Sequence, residues 1–145
     1  MSILSGTKTG LEGSRKRVED WLHRMGITNY TLMNLSKEEK SEQSIWMIDI
    51  KDADVNLVGY KNESLPDYIQ FNKITGGNFI CSYSGLTTMK GSPKEIGMNF
   101  DISFSKISSL DEVPPKVNKD FVACGLSFTE EQIRATTEVT CKVYL

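Results

Sequence analysis

The hydrophobic and polar positions of this chain follow one register that recurs at a constant interval between Phe79 and Phe128. Phe79, Phe100 and Phe121 share one position of it; Cys81, Ile102 and Ala123 share a second; Leu86, Ile107 and Phe128 share a third. Met89 with Leu110, Pro93 with Pro114, and Ile96 with Val117 recur at the same interval. A fixed period of this length marks a stacked array of units, each too small to bury its apolar face alone. The pattern predicts a fold and leaves the activity open.

Outside the repeats the periodicity changes. Val18, Trp21, Leu22 and Met25 fall on one helical stripe. They predict a helix over 14–25, with Ser14 as N-cap and Gly26 as its stop. An earlier start, with Thr9 and Glu12 as a capping box, is weakened by Gly10 and Gly13. Residues 27–32 and 44–50 read as strands paired across the polar segment 34–43, which has room for one helical turn. Asp52-Ala53-Asp54 marks a turn, and 55–58 a further strand that begins a degenerate first repeat; Leu65 stands one repeat interval before Leu86. Beyond the repeats, Thr129 and Gln132 form a capping box, and Phe128 is placed to staple onto Ile133. A short helix over 129–136 and a closing strand over 139–145 follow.

Phe79-x-Cys81-x-x-Ser84-x-Leu86-x-x-Met89 matches the leucine-rich-repeat spacing L-x-L-x-x-N-x-L-x-x-L, as does the segment from Phe100 to Leu110. The expected fold class is α+β: a short leucine-rich-repeat-like solenoid of 21-residue coils with parallel strands, an N-terminal helix and hairpin cap, and a C-terminal helix-strand cap. A single domain covers 1–145, with the first cap at 1–50, the repeats at 51–128 and the closing cap at 129–145. Ser84, Ser105 and Leu126 hold the position of the repeat's asparagine, a buried turn that bonds neighbouring coils. Serine supplies a weaker ladder there; leucine supplies none, so the regular array is expected to end at Leu126.

Composition narrows the partners. The chain has 145 residues and a net charge of −2, and its first forty residues carry seven basic groups against five acidic ones. That is not the basic excess of a nucleic-acid binder. No run of 18 apolar residues is present, so no membrane span is expected. The first residues lack the charged and apolar regions of a signal peptide. Three cysteines without paired spacing read as free thiols in a reducing cytoplasm.

On a repeat strand, residues beside the inward pair face the concave surface. The candidate interaction face is Asn78, Ile80, Ser82, Tyr83, Asn99, Asp101, Ser103, Phe104, Val122 and Cys124, with Asp120 beside it. Aromatic anchors within such a polar mix suit a protein interface. Two placements stay open for Tyr83 and Phe104, because strict strand alternation puts them in the core with Phe79 and Phe100. Cys124 reads as outward and Cys81 as inward. A catalytic Cys124 needs a base, and the sole histidine, His23, lies on the first helix. Cys81, Cys124, Cys141 and His23 lack the local pairing of a metal site, so no catalytic, cofactor or metal residues are assigned. Arg15, Lys16, Arg17 and Arg24 form a small basic patch interleaved with Glu19 and Asp20, which reads as a solvated helix face.

The chain also resembles a group of small leucine-rich-repeat-like proteins encoded by tailed bacteriophages. The resemblance rests on Leu86-Thr-Thr-Met89-Lys-Gly91-Ser-Pro93-Lys94-Glu-Ile96-Gly97-Met-Asn-Phe100, on the opening Trp21-Leu-x-x-Met25-Gly-Ile27-x-Asn29-Tyr30-Thr31, and on the closing Cys124-Gly125-x-x-Phe128-Thr129-Glu-Glu131 and Lys142-Val-Tyr144. It spans residues 14–145 and departs at Ser92, where the group prefers cysteine, and at the serines in the asparagine position. It implies a phage protein of uncharacterised function in the cytoplasm of an infected bacterium, and it brings no catalytic motif. The expected function is a non-catalytic interaction module for a host or phage protein, without cofactor. An enzyme with an unrecognised site and a weak nucleic-acid binder are the alternatives.

Overall fold

The computed structural model describes residues 10–35 and 44–145. Helix α1 (Gly10–Arg24) opens it, followed by an antiparallel hairpin of β1 (Tyr30–Asn34) and β2 (Trp46–Lys51). The chain then winds as a β-solenoid of about four turns. Each coil supplies two strands: β3 (Val55–Asn56) completes the coil of β2, then come β4 (Ile69–Thr75) with β5 (Phe79–Ile80), β6 (Glu95–Ile96) with β7 (Phe100–Asp101), and β8 (Lys116–Val117) with β9 (Phe121–Val122). Helix α2 (Glu130–Thr136) precedes the last pair, β10 (Glu138–Val139) and β11 (Val143–Tyr144).

The even-numbered strands, edged by β1, form one sheet in the order β1-β2-β4-β6-β8-β10, and the odd ones form a second, β11-β9-β7-β5-β3. All neighbours except β1 and β2 run parallel. The predicted register holds in the second sheet, where Phe79 faces Phe100 and Phe100 faces Phe121. The recurrence of Ile96 and Val117, which the single-strand repeat leaves without an element, is the first sheet. The same holds for Ile69–Thr75, to which the repeat spacing assigns no strand. The first coil is longer than the rest: it carries the chain from Val55 to its partner Phe79, a wider step than from Phe79 to Phe100.

A column of rings fills the space between the sheets. Trp21 of α1 lies against Phe71 (ring centroids 6.3 Å apart), Phe71 against Phe79 (5.3 Å), Phe79 against Phe100 (6.1 Å) and Phe100 against Phe121 (5.0 Å). All four phenylalanines are fully buried, as are Cys81, Ile102 and Ala123. Helix α1 closes this column at the N-terminal end with Val18, Trp21 and Leu22.

Several expectations shift in detail. Helix α1 starts at Gly10, so Ser14 is not its cap; it is buried within the helix, and its Oγ accepts a hydrogen bond from Trp46 Nε1 at 3.0 Å. Thr9 and residues 36–43 lie outside the described residues. The strand expected over 27–32 forms at Tyr30–Asn34, because Ile27 is spent closing the helix, donating its N–H to Leu22 O at 2.9 Å. The capping box of Thr129 and Gln132 forms as read. The closing strand divides in two: Val139 continues the series of Ile96 and Val117, and Val143 that of the phenylalanines. Both sheets therefore run one rung past Leu126. Arg134 of α2 donates to Val139 O (2.9 Å) and Cys141 O (2.8 Å) while its Nε reaches Glu130 (2.8 Å). These are carbonyls of the last coil, and covering them blunts an edge open to other chains.

The serine ladder is replaced by a different one. Ser84 Oγ accepts from Leu86 N (3.4 Å) and Ser105 Oγ from Ile107 N (3.3 Å), both within their own coil. Between coils the bonds come from an Asp/Asn row: Asp54 accepts from Asn78 N (2.8 Å), Asn78 from Asn99 N (2.8 Å), Asn99 from Asp120 N (3.0 Å) and Asp120 from Lys142 N (3.0 Å).

Phe100 is fully buried with aromatic neighbours on both sides, Phe79 and Phe121, so Phe100→Ala is expected to cost roughly 3–5 kcal/mol in chemical denaturation. A loss below about 1 kcal/mol would mean that the column collapses to refill the space.

Candidate functional site

Immediately after each strand of the second sheet the chain turns a corner, and the corner residues form a row of their own. Gly59, Tyr83 and Phe104 occupy equivalent places on successive coils: their N–H groups donate to Ser82 O, Ser103 O and Cys124 O at 2.9–3.0 Å. Gly125 follows Phe104 by the same interval at which Phe104 follows Tyr83. All four have left-handed backbones, with φ of 74°, 56°, 55° and 77°. Glycine adopts that conformation freely; a residue with a Cβ does so at a cost of about 1–2 kcal/mol. The two middle places nevertheless hold large aromatic residues.

The left-handed turn also decides which way those rings point. It breaks strand alternation, so Tyr83 and Phe104 leave the core and stand in solvent, 65% and 50% exposed. Their rings stack on one another with centroids 5.0 Å apart and an angle of 19°. Phe104 in turn lies over Gly125, where a Cβ would come within 2.6 Å of its ring. Backbone strain at a surface aromatic points to function more than to packing. The sequence carried a signal for it: Gly125 stands in register with Tyr83 and Phe104.

The remaining candidate residues divide. Ile80, Asp101 and Val122 lie half-buried in one row across the second sheet. Asn78 and Asn99 belong to the inter-coil row, with their carboxamide oxygens occupied by backbone N–H groups, and so act as staples, not as contact residues. Ser82 and Ser103 are buried; Ser103 Oγ accepts from Cys124 N at 2.9 Å. What stands out from this side is the aromatic pair, with Val58 exposed one coil earlier and Tyr144 exposed beside Val122 at the other end of the sheet.

Other candidate chemistry lies apart. His23 is 3.0 Å from the Tyr30 hydroxyl, which donates to Glu19 at 3.4 Å, whereas Cys124 sits beyond β9 against Ser103. Burial, and then the Asp101 charge, push the Cys81 thiol far up, so it is held as an unreactive thiol. Among the described residues, no three His, Cys, Asp or Glu side chains gather as a metal site. Arg15 pairs with Glu19, Lys16 with Asp20, and Arg17 stacks 4.1 Å from the Tyr68 ring centre, so most of the basic patch is engaged on the helix surface. Among the described residues, no helix is long and apolar enough to cross a membrane. No family model, no curated protein and no solved structure matches the chain.

Tyr83→Gly relieves the strain of about 1–2 kcal/mol, gives up a stack of about 0.5–1.5 kcal/mol and adds backbone freedom of about 0.5–1 kcal/mol. A net change within about 1 kcal/mol is expected in urea denaturation; a loss above about 3 kcal/mol would make the ring a packing element. In native thiol labelling, exposed Cys141 and half-buried Cys124 react before Cys81; labelling of Cys81 first would contradict the register.

Proposed function

We propose that the protein is a non-catalytic interaction module whose contact point is the stacked pair Tyr83 and Phe104. The observation that carries this reading is an exposed aromatic pair held in a strained backbone conformation. Large exposed aromatics give much contact area for little lost side-chain freedom, which is why interfaces concentrate binding energy in them. The rigid coil beneath them lowers the ordering cost of association further. The half-buried row of Ile80, Asp101 and Val122 supplies a mixed apolar and polar surround. The sequence resemblance supports a phage origin, and with it a host or phage protein as partner in the cytoplasm of the infected cell.

Affinity capture from infected bacteria with the wild-type chain and with a Tyr83→Gly, Phe104→Gly double variant tests this. A protein retained by the wild type and lost by the folded variant is the expected outcome. Equal recovery by both, or no specific protein with either, would remove the pair from the function.

A further inference from the structure

The second sheet is one strand short at its N-terminal end. There the first sheet is extended beyond β2 by β1, whereas no strand lies beyond β3. The consequence falls on three carbonyls. In the second coil Asn78 O, Ile80 O and Ser82 O accept from Val55 N, Leu57 N and Gly59 N of the first, at 2.7–3.0 Å. Val55 pairs with Phe79 and Asn56 with Ile80, so the equivalents of those acceptors one coil earlier are Asp54, Asn56 and Val58. Peptide groups along a strand point alternately to its two sides, so these carbonyls and the Asn56 N–H face away from the second coil. No described residue donates to any of the three carbonyls.

This open edge borders a groove of about 400 Å³, lined by residues 56–62 and by Arg24 and Met25 at the end of α1. Val58, 53% exposed, and Met25 bring apolar surface to it, and Arg24 and Lys61 bring two cations. No carboxylate is among the described residues that line it. The acid nearest along the strand, Asp54, is turned to the second coil, where it accepts from Asn78 N and Nδ2. Neither cation forms an ion pair with a described residue, in contrast to Arg15 and Lys16 on the same helix as Arg24. Unpaired backbone acceptors and unpaired positive charge therefore meet in one groove.

We propose that the free edge of β3 takes an extended acidic segment of a partner protein as a sixth strand of the second sheet. Strand addition draws its affinity from main-chain hydrogen bonds, here amides of the segment donated to the Asn56 and Val58 carbonyls. Arg24 and Lys61 select for negative charge on the incoming side chains. β3 is only two residues long, so the groove beyond it and its cations supply what the backbone bonds alone would not. The edge uses neither Tyr83 nor Phe104, so this proposal and the reading of the aromatic pair fail separately.

The test is an amide-resolved NMR titration of the full chain with three acetylated and amidated pentapeptides. They are Glu-Val-Glu-Val-Glu, Lys-Val-Lys-Val-Lys, and the glutamate peptide with every backbone nitrogen methylated. Saturable shifts at Asn56, Val58 and Gly59 are expected with the glutamate peptide, and the Asn56 amide should exchange more slowly with solvent once it is bound. The lysine peptide should bind at least about fivefold more weakly, the weight of two exposed ion pairs. The methylated peptide keeps the charge and lacks the donors, so it should leave these amides in place. Arg24→Glu with Lys61→Glu should reverse the order of the two charged peptides. Absence of saturable shifts, equal affinity for glutamate and lysine peptides, or undiminished binding of the methylated one would each overturn the proposal. Shifts at these amides that grow with protein concentration alone would assign the edge to a second copy of the chain and overturn it too. The wild-type comparisons decide the matter even if the charge-reversed variant does not fold.

Discussion

Everything in this molecule depends on one column of aromatic side chains. A single solenoid coil has no core of its own; its apolar side chains are buried only by the coils before and after it. Phe71, Phe79, Phe100 and Phe121 make that mutual burial continuous, and Trp21 closes it where α1 meets the first coils. The two parallel sheets and the Asp/Asn row are the polar counterpart. They give the backbone of each coil its partners in the next, as a buried backbone requires.

Much of this was legible in the sequence because the burial is periodic. The phenylalanine interval marked the rungs, and the capping box at Thr129 marked the second helix. The sheet of even-numbered strands was harder to read, because its short members show only one inward residue per coil: Ile96, Val117 and Val139. One position per coil cannot display alternation. Ser14 misled for a physical reason: serine is a good cap, but here its hydroxyl is an acceptor for a buried indole. The Asp/Asn row was misassigned because Asn78 and Asn99 sit just before the inward phenylalanines, where strand geometry alone suggests an open face.

The candidate site shows the limit most clearly. Alternation along a strand predicts sides, and it fails once a residue takes a left-handed conformation. Nothing in the identity of Tyr83 or Phe104 announces that turn; only the glycines at the two ends of the row do, and Gly59 is displaced from the common register by the longer first coil. The opposite sheet has a different character. Glu95, Lys116 and Glu138 lie in register across it with alternating charge, a solvated face that adds little stability. The aromatic character of the surface is concentrated at the corner.

The coil-to-coil bonding also sets how such a chain can change in length. Core column, Asp/Asn row and left-handed corner share one interval from Asn78 to Gly125. Insertion or deletion of a whole coil there leaves every rung facing its own kind. A smaller change between the Asp/Asn row and the corner would put a polar side chain in the column, a strained backbone on the wrong residue and an unpaired amide between coils, all together, whereas the rest of the coil takes up extra residues, as the longer first coil does. The coil is therefore the natural quantum of variation for this architecture, and the aromatic stack would lengthen or shorten with it, one ring at a time.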